Sequence, residues 1–170
     1  MELKGTTFIL RQWQAGDEIS LQQQANNSHI SRYLFDRFPY PYTLADAKNW
    51  VMTHNDQDPV TNFAIIINDQ VAGAIEFSPD NDIHRKTAVL GYWLGQDFWS
   101  KGITTEAVAL ITNYAFKNSD IIRIQASVND NNPASMRVLE KAGFKKEGIL
   151  KNAIVKYNEI MDEHLYALLK

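Results

Sequence analysis

The sequence predicts an α+β (mixed α/β) fold, with a largely antiparallel central sheet of about seven strands and helices on both faces. Three observations predict it. Segments with strand character outnumber those with helical periodicity, a hairpin comes early, and a strand–helix–strand unit follows over about residues 86–128. A hairpin pairs its strands antiparallel and a crossover helix pairs them parallel, so a chain with both builds a mixed sheet. No repeat, low-complexity tract or linker interrupts the 170 residues, and one domain over 1–170 is expected.

Thr7–Trp13 is dense in apolar residues and reads as the first strand. Asp17 is an N-cap candidate for a helix to about Asn26, and Ser28 or His29 to Leu34 reads as a second, short one. The segment Tyr33–Tyr42 holds Tyr33, Phe35, Phe38, Tyr40 and Tyr42 beside Pro39 and Pro41. The prolines disfavour helix and central strand, so it is an ordered loop whose rings either pack on the core or wall a substrate pocket. Thr43, with Asp46 three residues on, opens a helix through Ala47, Trp50 and Val51 in the pattern of a capping box. Asn62–Ile67 and Val71–Phe77 form a hairpin across Asn68-Asp69-Gln70. Lys86–Leu94 is a strand, Ile103 to about Phe116 a helix, and Ile122–Val128 an alternating strand. Asn132 then caps a helix with Pro133 in its first position, which stops at Ala142 before Gly143. Lys145–Leu150 and Ile160–Leu169 are the final strands.

Composition narrows the function classes. With 45% hydrophobic and 11% aromatic residues the chain can bury a real core. A net charge of −3 argues against a nucleic-acid surface. No apolar run reaches membrane-spanning length and the first residues lack a signal peptide's apolar centre, so a cytoplasmic protein without a membrane partner is expected. Without cysteine there is no disulfide, thiolate metal site or cysteine nucleophile, and the four histidines show no metal-ligand spacing.

The stretch Leu90–Glu106 carries the strongest chemical signal. A strand ends at Leu94, a loop follows, and Ser100, Gly102, Thr104 and Thr105 bring little bulk to the start of a helix. Unpaired amides and the positive end of the helix dipole suit a phosphate there, although an ordinary strand-to-helix turn reads the same way. Neither G-x-x-x-x-G-K-[ST] nor G-x-G-x-x-G is present. A second feature decides between them. Asn132-Pro133-Ala134-Ser135, followed by Val138-Leu139-Glu140-Lys141-Ala142-Gly143-Phe144, resembles the C-terminal signature of the GNAT acetyl-CoA-dependent N-acetyltransferases. Leu90-Gly91-Tyr92-Trp93-Leu94 and Trp99–Ala107 resemble that superfamily's pyrophosphate-binding segment, most closely in the ribosomal-protein alanine acetyltransferase (RimJ/RimL-type) branch.

The resemblance implies acetyl-CoA as cosubstrate, no metal, and a primary amine as acceptor, either a protein N-terminus or a small molecule such as a polyamine, antibiotic or amino acid. It implies that the amides of Ser100, Lys101, Gly102, Ile103, Thr104 and Thr105 cradle the pyrophosphate. It further implies that Trp93 and Leu94 pair with the pantetheine arm through their backbone, that Asn132 reaches the arm, and that Ser135 faces the sulfur. Asn132 read by itself is equally a helix cap. The chain departs from the family pattern at Trp99, which opens the phosphate motif, at Thr104, which adds bulk where glycine or alanine is usual, and at Leu139, where many members carry a tyrosine thought to protonate the departing thiolate. Leu139 keeps open a non-catalytic acyl-CoA-binding module as the competing class.

Transfer to an amine needs a base, an oriented carbonyl and stabilisation of the sulfur. Glu76, on the strand beside the cofactor strand and among apolar neighbours, is the candidate base; the alternative is a solvent-facing glutamate. Ser135 is the candidate donor to the thiolate. With no cysteine for a covalent intermediate, direct transfer in a ternary complex is expected, in a monomer or homodimer.

Overall fold

A computed structural model describes all of residues 1–170. The chain runs β1 (Glu2–Lys4), β2 (Ile9–Arg11), α1 (Glu18–Ala25), α2 (Ser28–Ser31), α3 (Leu44–His54), β3 (Asn62–Ile67), β4 (Gln70–Pro79), β5 (Thr87–Leu94), α4 (Ile103–Asn118), β6 (Arg123–Asn129), α5 (Pro133–Lys141), β7 (Lys145–Lys156) and β8 (Glu159–Leu169). The eight strands form one sheet in the order β1-β2-β3-β4-β5-β6-β8-β7, antiparallel except for the β5–β6 pair. The expected class holds, with eight strands in place of about seven. The span Thr7–Trp13 contributes only Ile9–Arg11, and the added strand is the three-residue β1, whose register pairs Leu3 with Leu10. A three-residue strand is too short to show an alternation of its own.

Side-chain alternation divides the core between the two faces. On one face Phe63, Ile65, Phe77, Ala88, Leu90 and Ile124 meet Ile103, Ala107, Val108 and Ile111 of α4 and Leu139 of α5. On the other, Ala64, Ile66, Val71 and Ala74 meet Leu21 and Ala25 of α1 and Ala47 and Val51 of α3. The hairpin between β3 and β4 turns through Asn68 and Asp69, both at positive φ, the backbone of a primed turn that asparagine and aspartate tolerate.

Two helix starts follow local signals and one does not. Thr43 Oγ1 accepts from the Asp46 amide while the Asp46 carboxylate accepts from the Thr43 amide, closing the capping box of α3. Asn132 Oδ1 accepts from the Ser135 amide at the start of α5. Asp17 sits at the N-cap position of α1 but does not cap it. Its carboxylate instead takes both guanidinium nitrogens of Arg11, each at 2.8 Å, because a bidentate charge-assisted pair outcompetes a single amide. The predicted helix to Leu34 stops at Ser31.

One feature of the sheet positions everything below. β5 and β6 pair only through Thr87, Ala88 and Val89. From Leu90 onward β5 keeps β4 on one side, paired as far as Leu94 with Gly73, and has no strand on the other. Because β5 and β6 are parallel, their carboxyl ends lie at the same edge, and the N-termini of α4 and α5 flank the opening.

Candidate active site

The turn from β5 into α4 is built from small and strained residues. Ser100 (φ 61°) and Gly102 (φ 78°) both adopt left-handed backbone, and Gly102 is the N-cap of α4 without a side-chain cap. No amide from Ser100 to Thr105 donates to a protein acceptor, although the first bond of α4, from the Glu106 amide to the Gly102 carbonyl, is in place. Left-handed backbone at Ser100 and Gly102, on either side of Lys101, leaves the N–H groups of the turn unspent at the start of a 16-residue helix, a setting for an anion reinforced by the helix dipole. The Ile103 side chain is buried and pins the helix start to the core. The Trp99 indole N–H donates to the Leu94 carbonyl at 2.7 Å and closes the loop on the strand end. That bond takes up the Leu94 carbonyl. The Gly95 amide donates to Ala72 and the Asp80 amide to Thr87, so by the alternation of an antiparallel ladder Gly91 and Trp93 turn their backbone to β4. The groups that face the gap are the Leu90 carbonyl, the Tyr92 amide and carbonyl and the Leu94 amide; the Trp93 backbone expected to meet the pantetheine arm is already paired. The Lys101 ammonium turns back to the Asp97 carbonyl at 2.8 Å, away from the helix start.

Glu76 lies on β4 in register with Asn62 on β3 and Gly91 on β5. A Cβ at Gly91 would stand 3.4 Å from Glu76 Oε1, so the glycine leaves the space the carboxylate occupies. Glu76 is held by a polar relay rather than lying bare among apolar neighbours: the Trp13 indole N–H donates to Asn62 Oδ1 at 2.7 Å, and the Asn62 amide donates to Glu76 Oε2 at 2.6 Å. Indole can only donate and the carboxylate here accepts, so this relay has one orientation. Trp13 and Asn62 are buried while Glu76 is half-exposed.

Glu76 lines a cleft of about 740 Å³ between β4–β5 and the segment from Leu34 to His54. Phe38 packs on Tyr42 (4.9 Å between centroids) and Trp93 (5.8 Å), and Trp50 crosses Trp13 edge-on at 6.2 Å and stacks on His54. The aromatic loop therefore does both things the sequence allowed: Tyr42 is buried in the smaller core while Leu34, Phe35, Phe38 and Pro39 form the cleft wall. Burial and nearby Asp46 push the Tyr42 hydroxyl up to about 12. The loop is held at Tyr42 by Gln22 and Asn26 of the α1 end, and at Asp36 by Lys156 of β7 at 2.8 Å.

On the opposite face of β5, Tyr92 points toward α5. Its hydroxyl lies 2.8 Å from Ser135 Oγ, and burial pushes it up to about 12 against the opposing pull of the Ser135 hydrogen bond. The sequence places Tyr92 inside the motif-bearing strand but gives it no role, because its partner is 43 residues away. Leu139 is fully buried in the larger core and presents nothing to the site. Asn132 acts as a cap through Oδ1.

Free amides at a helix start, a gap beside them, and a carboxylate reached from the far face are the parts that moving a group between two molecules calls for. The model of the acetyltransferase (GNAT) domain matches residues 7–145. The chain belongs to the GNAT acetyltransferase family. A probable N-acetyltransferase of Bacillus subtilis, YjcK, is 33% identical over 95% of this chain and 93% of its own length. The ribosomal-protein-serine acetyltransferase of Escherichia coli is 35% identical over 62% of this chain and 58% of its own. The solved structure of RimL, described as a ribosomal L7/L12 alpha-N-protein acetyltransferase in complex with coenzyme A, superposes with a TM-score of 0.85 over 99% of this chain and 98% of its own at 22% identity. The fold and the N-acetyltransferase class expected from the sequence are thereby established. In this GNAT chain no helix is long and apolar enough to cross a membrane.

Proposed function

We propose that this GNAT enzyme transfers the acetyl group of acetyl-CoA directly to a single primary amine, with a protein N-terminus as the acceptor and the cytoplasm as its location. The observation that carries the reading is the run of amides from Ser100 to Thr105 with no protein acceptor, at the start of α4 and beside the opening between β5 and β6. These residues fit a pyrophosphate: the charge is met by backbone and dipole, and no side chain fills the concavity, since even a Cβ at Gly102 would meet nothing within 4 Å. The gap-facing groups of β5, the Leu90 carbonyl, the Tyr92 amide and carbonyl and the Leu94 amide, would pair with the amides of the pantetheine arm as an added strand does, with the Asn132 side-chain NH₂ at the flank.

Acetyl-CoA supplies the activated acyl thioester; the chain supplies the rest. Glu76 takes the proton that the amine must lose, directly or through one water, as the new C–N bond forms. Ser135 donates to the sulfur as the C–S bond breaks, and a thiol with a pKa near 8.5 leaves without needing a strong acid. Glu76 and Ser135 reach the reaction from opposite faces of the sheet, so the acceptor enters from the aromatic cleft and the thioester through the gap.

The cleft also favours one kind of acceptor. Its charged residues are Arg37, Asp46 and Glu76, and the Asp46 carboxylate is already committed to the Thr43 cap, which holds it below the usual carboxylate range. A polyamine presents several positive charges that call for several carboxylates, whereas this cleft sets its two against Arg37 and places Glu76 among rings, which suits one amine on an apolar body. Release of thiol from acetyl-CoA, measured with N-terminal peptides and with spermidine, tests this; turnover confined to spermidine would overturn the acceptor, and binding without turnover on any amine would overturn the enzyme. Glu76→Gln is expected to lower kcat about 100-fold with the KM for acetyl-CoA unchanged, and a normal pH profile in that variant would remove Glu76 as the base.

A further inference from the structure

We propose that Tyr92 is a positioning residue that turns the Ser135 hydroxyl hydrogen toward the leaving sulfur. The proposal rests on Ser135 facing the sulfur as described above. A serine hydroxyl is a rotor with one hydrogen, and on a helix it readily spends that hydrogen on a carbonyl one turn back. Ser135 has its backbone fixed by the Asn132 cap, but fixing the backbone does not fix the rotor. The Tyr92 hydroxyl, 2.8 Å from Ser135 Oγ, does.

The direction of that bond follows from acidity and from geometry. A phenol is the stronger donor of the two. If Ser135 donated instead, the Tyr92 hydrogen would be left with the Ser135 carbonyl at 3.4 Å, a poor bond, or with none. Tyr92 therefore donates, Ser135 Oγ accepts, and the Ser135 hydrogen is free for an acceptor in the gap. Charge developing on the sulfur strengthens both links of such a chain together.

Tyr92 does not itself give up the proton. Its hydroxyl stands near 12, and passing a proton to a thiolate of pKa about 8.5 is uphill by more than a thousandfold. The thiolate departs hydrogen-bonded and takes its proton from solvent, and Tyr92 is unchanged at the end. Tyr166 also faces Tyr92, and its hydroxyl is engaged by Glu140 at 3.0 Å. Leu139 offers the sulfur no donor, which leaves the pair from β5 and α5 to do so.

The test uses coenzyme A itself and needs no acceptor. Ultraviolet absorbance of the thiolate reports the pKa of the bound thiol against pH in the wild-type protein, Tyr92→Phe, Ser135→Ala and the double variant. The wild-type protein should hold the thiol about tenfold more acidic than free coenzyme A. Tyr92→Phe should lose most of that, Ser135→Ala all of it, and the double variant no more than Ser135→Ala. In turnover, Tyr92→Phe should lower kcat about tenfold with the KM for acetyl-CoA unchanged, while Ser135→Thr, which keeps a hydroxyl, retains part of the rate. A shift in Ser135→Ala with none in Tyr92→Phe, or additive shifts in the double variant, would overturn the role of Tyr92 alone. No shift in either single variant would overturn the placement of Ser135 at the sulfur as well, and failure to bind coenzyme A at all would overturn the site.

Discussion

At the scale of single residues the site depends on side chains that hold others. Glu76 is visible in the sequence as a carboxylate on a strand, but Asn62, which orients it, is 14 residues away and meets it only through the β3–β4 register. Trp13 is 49 residues from Asn62 and reads in sequence as one more apolar residue of a first strand. Such partners are set by pairing and burial, to which no local pattern points. Asn62→Ala is expected to release Glu76 and to leave the Trp13 indole N–H buried without an acceptor. That costs about 1–3 kcal/mol of stability, read in urea titration, together with a fall in kcat. A variant equally stable and equally active would show that the relay does not matter. The same distance rule hid the contact between Tyr92 and Ser135, although each lies inside a recognisable motif.

At the scale of elements, what was legible is what local chemistry decides. The Thr43–Asp46 box, Pro133 after Asn132, and Gly143 at φ 93° each announce a helix end within a few residues, and each is where the sequence puts it. Asp17 has the same credentials and fails to cap because Arg11 arrives from β2. The start of α4 is the reverse case. Its N-cap is a left-handed glycine with no capping side chain, poor as a start signal and good as an anion seat. Gly102→Ala adds no clash, since nothing lies within 4 Å of the new carbon, but forces a φ of 78° on an alanine. The expected cost is about 1–2 kcal/mol if the loop keeps its shape, and about tenfold in coenzyme A affinity if it relaxes. Calorimetric titration giving wild-type affinity together with wild-type stability would refute this.

At the scale of the whole molecule, a mixed sheet with helices on both faces was legible from the hairpin, the strand–helix–strand unit and the helical spacing of α3 and α4, whereas its division into two cores was not. Nor was the position of β8. The sequence shows two terminal strands but not which of them docks on β6, and the outcome turns on tertiary burial. Met161, Tyr166 and Ala167 of β8 are buried, while β7, with exposed lysines at 145, 146 and 151, takes the edge, where charge discourages further pairing. The length of the β5–β6 contact was likewise out of reach, since both strands read as full-length and nothing local says that they part after Val89.

That parting couples the enzyme's endurance to the concentration of its ligand. A sheet missing part of one ladder is completed only when something else supplies the bonds, so whatever completes it shifts the folding equilibrium by mass action. Coenzyme A at about 100 times its dissociation constant should add about 2.7 kcal/mol, a rise in melting temperature of roughly 5–10 °C for a chain of this size. The rise should grow with the logarithm of concentration, and the amides of Tyr92 and Leu94, which face the gap, should gain the most protection from hydrogen exchange. A melting temperature indifferent to coenzyme A would mean that it does not bind the folded chain, and a rise without protection at Tyr92 and Leu94 would mean that the gap is not where it binds.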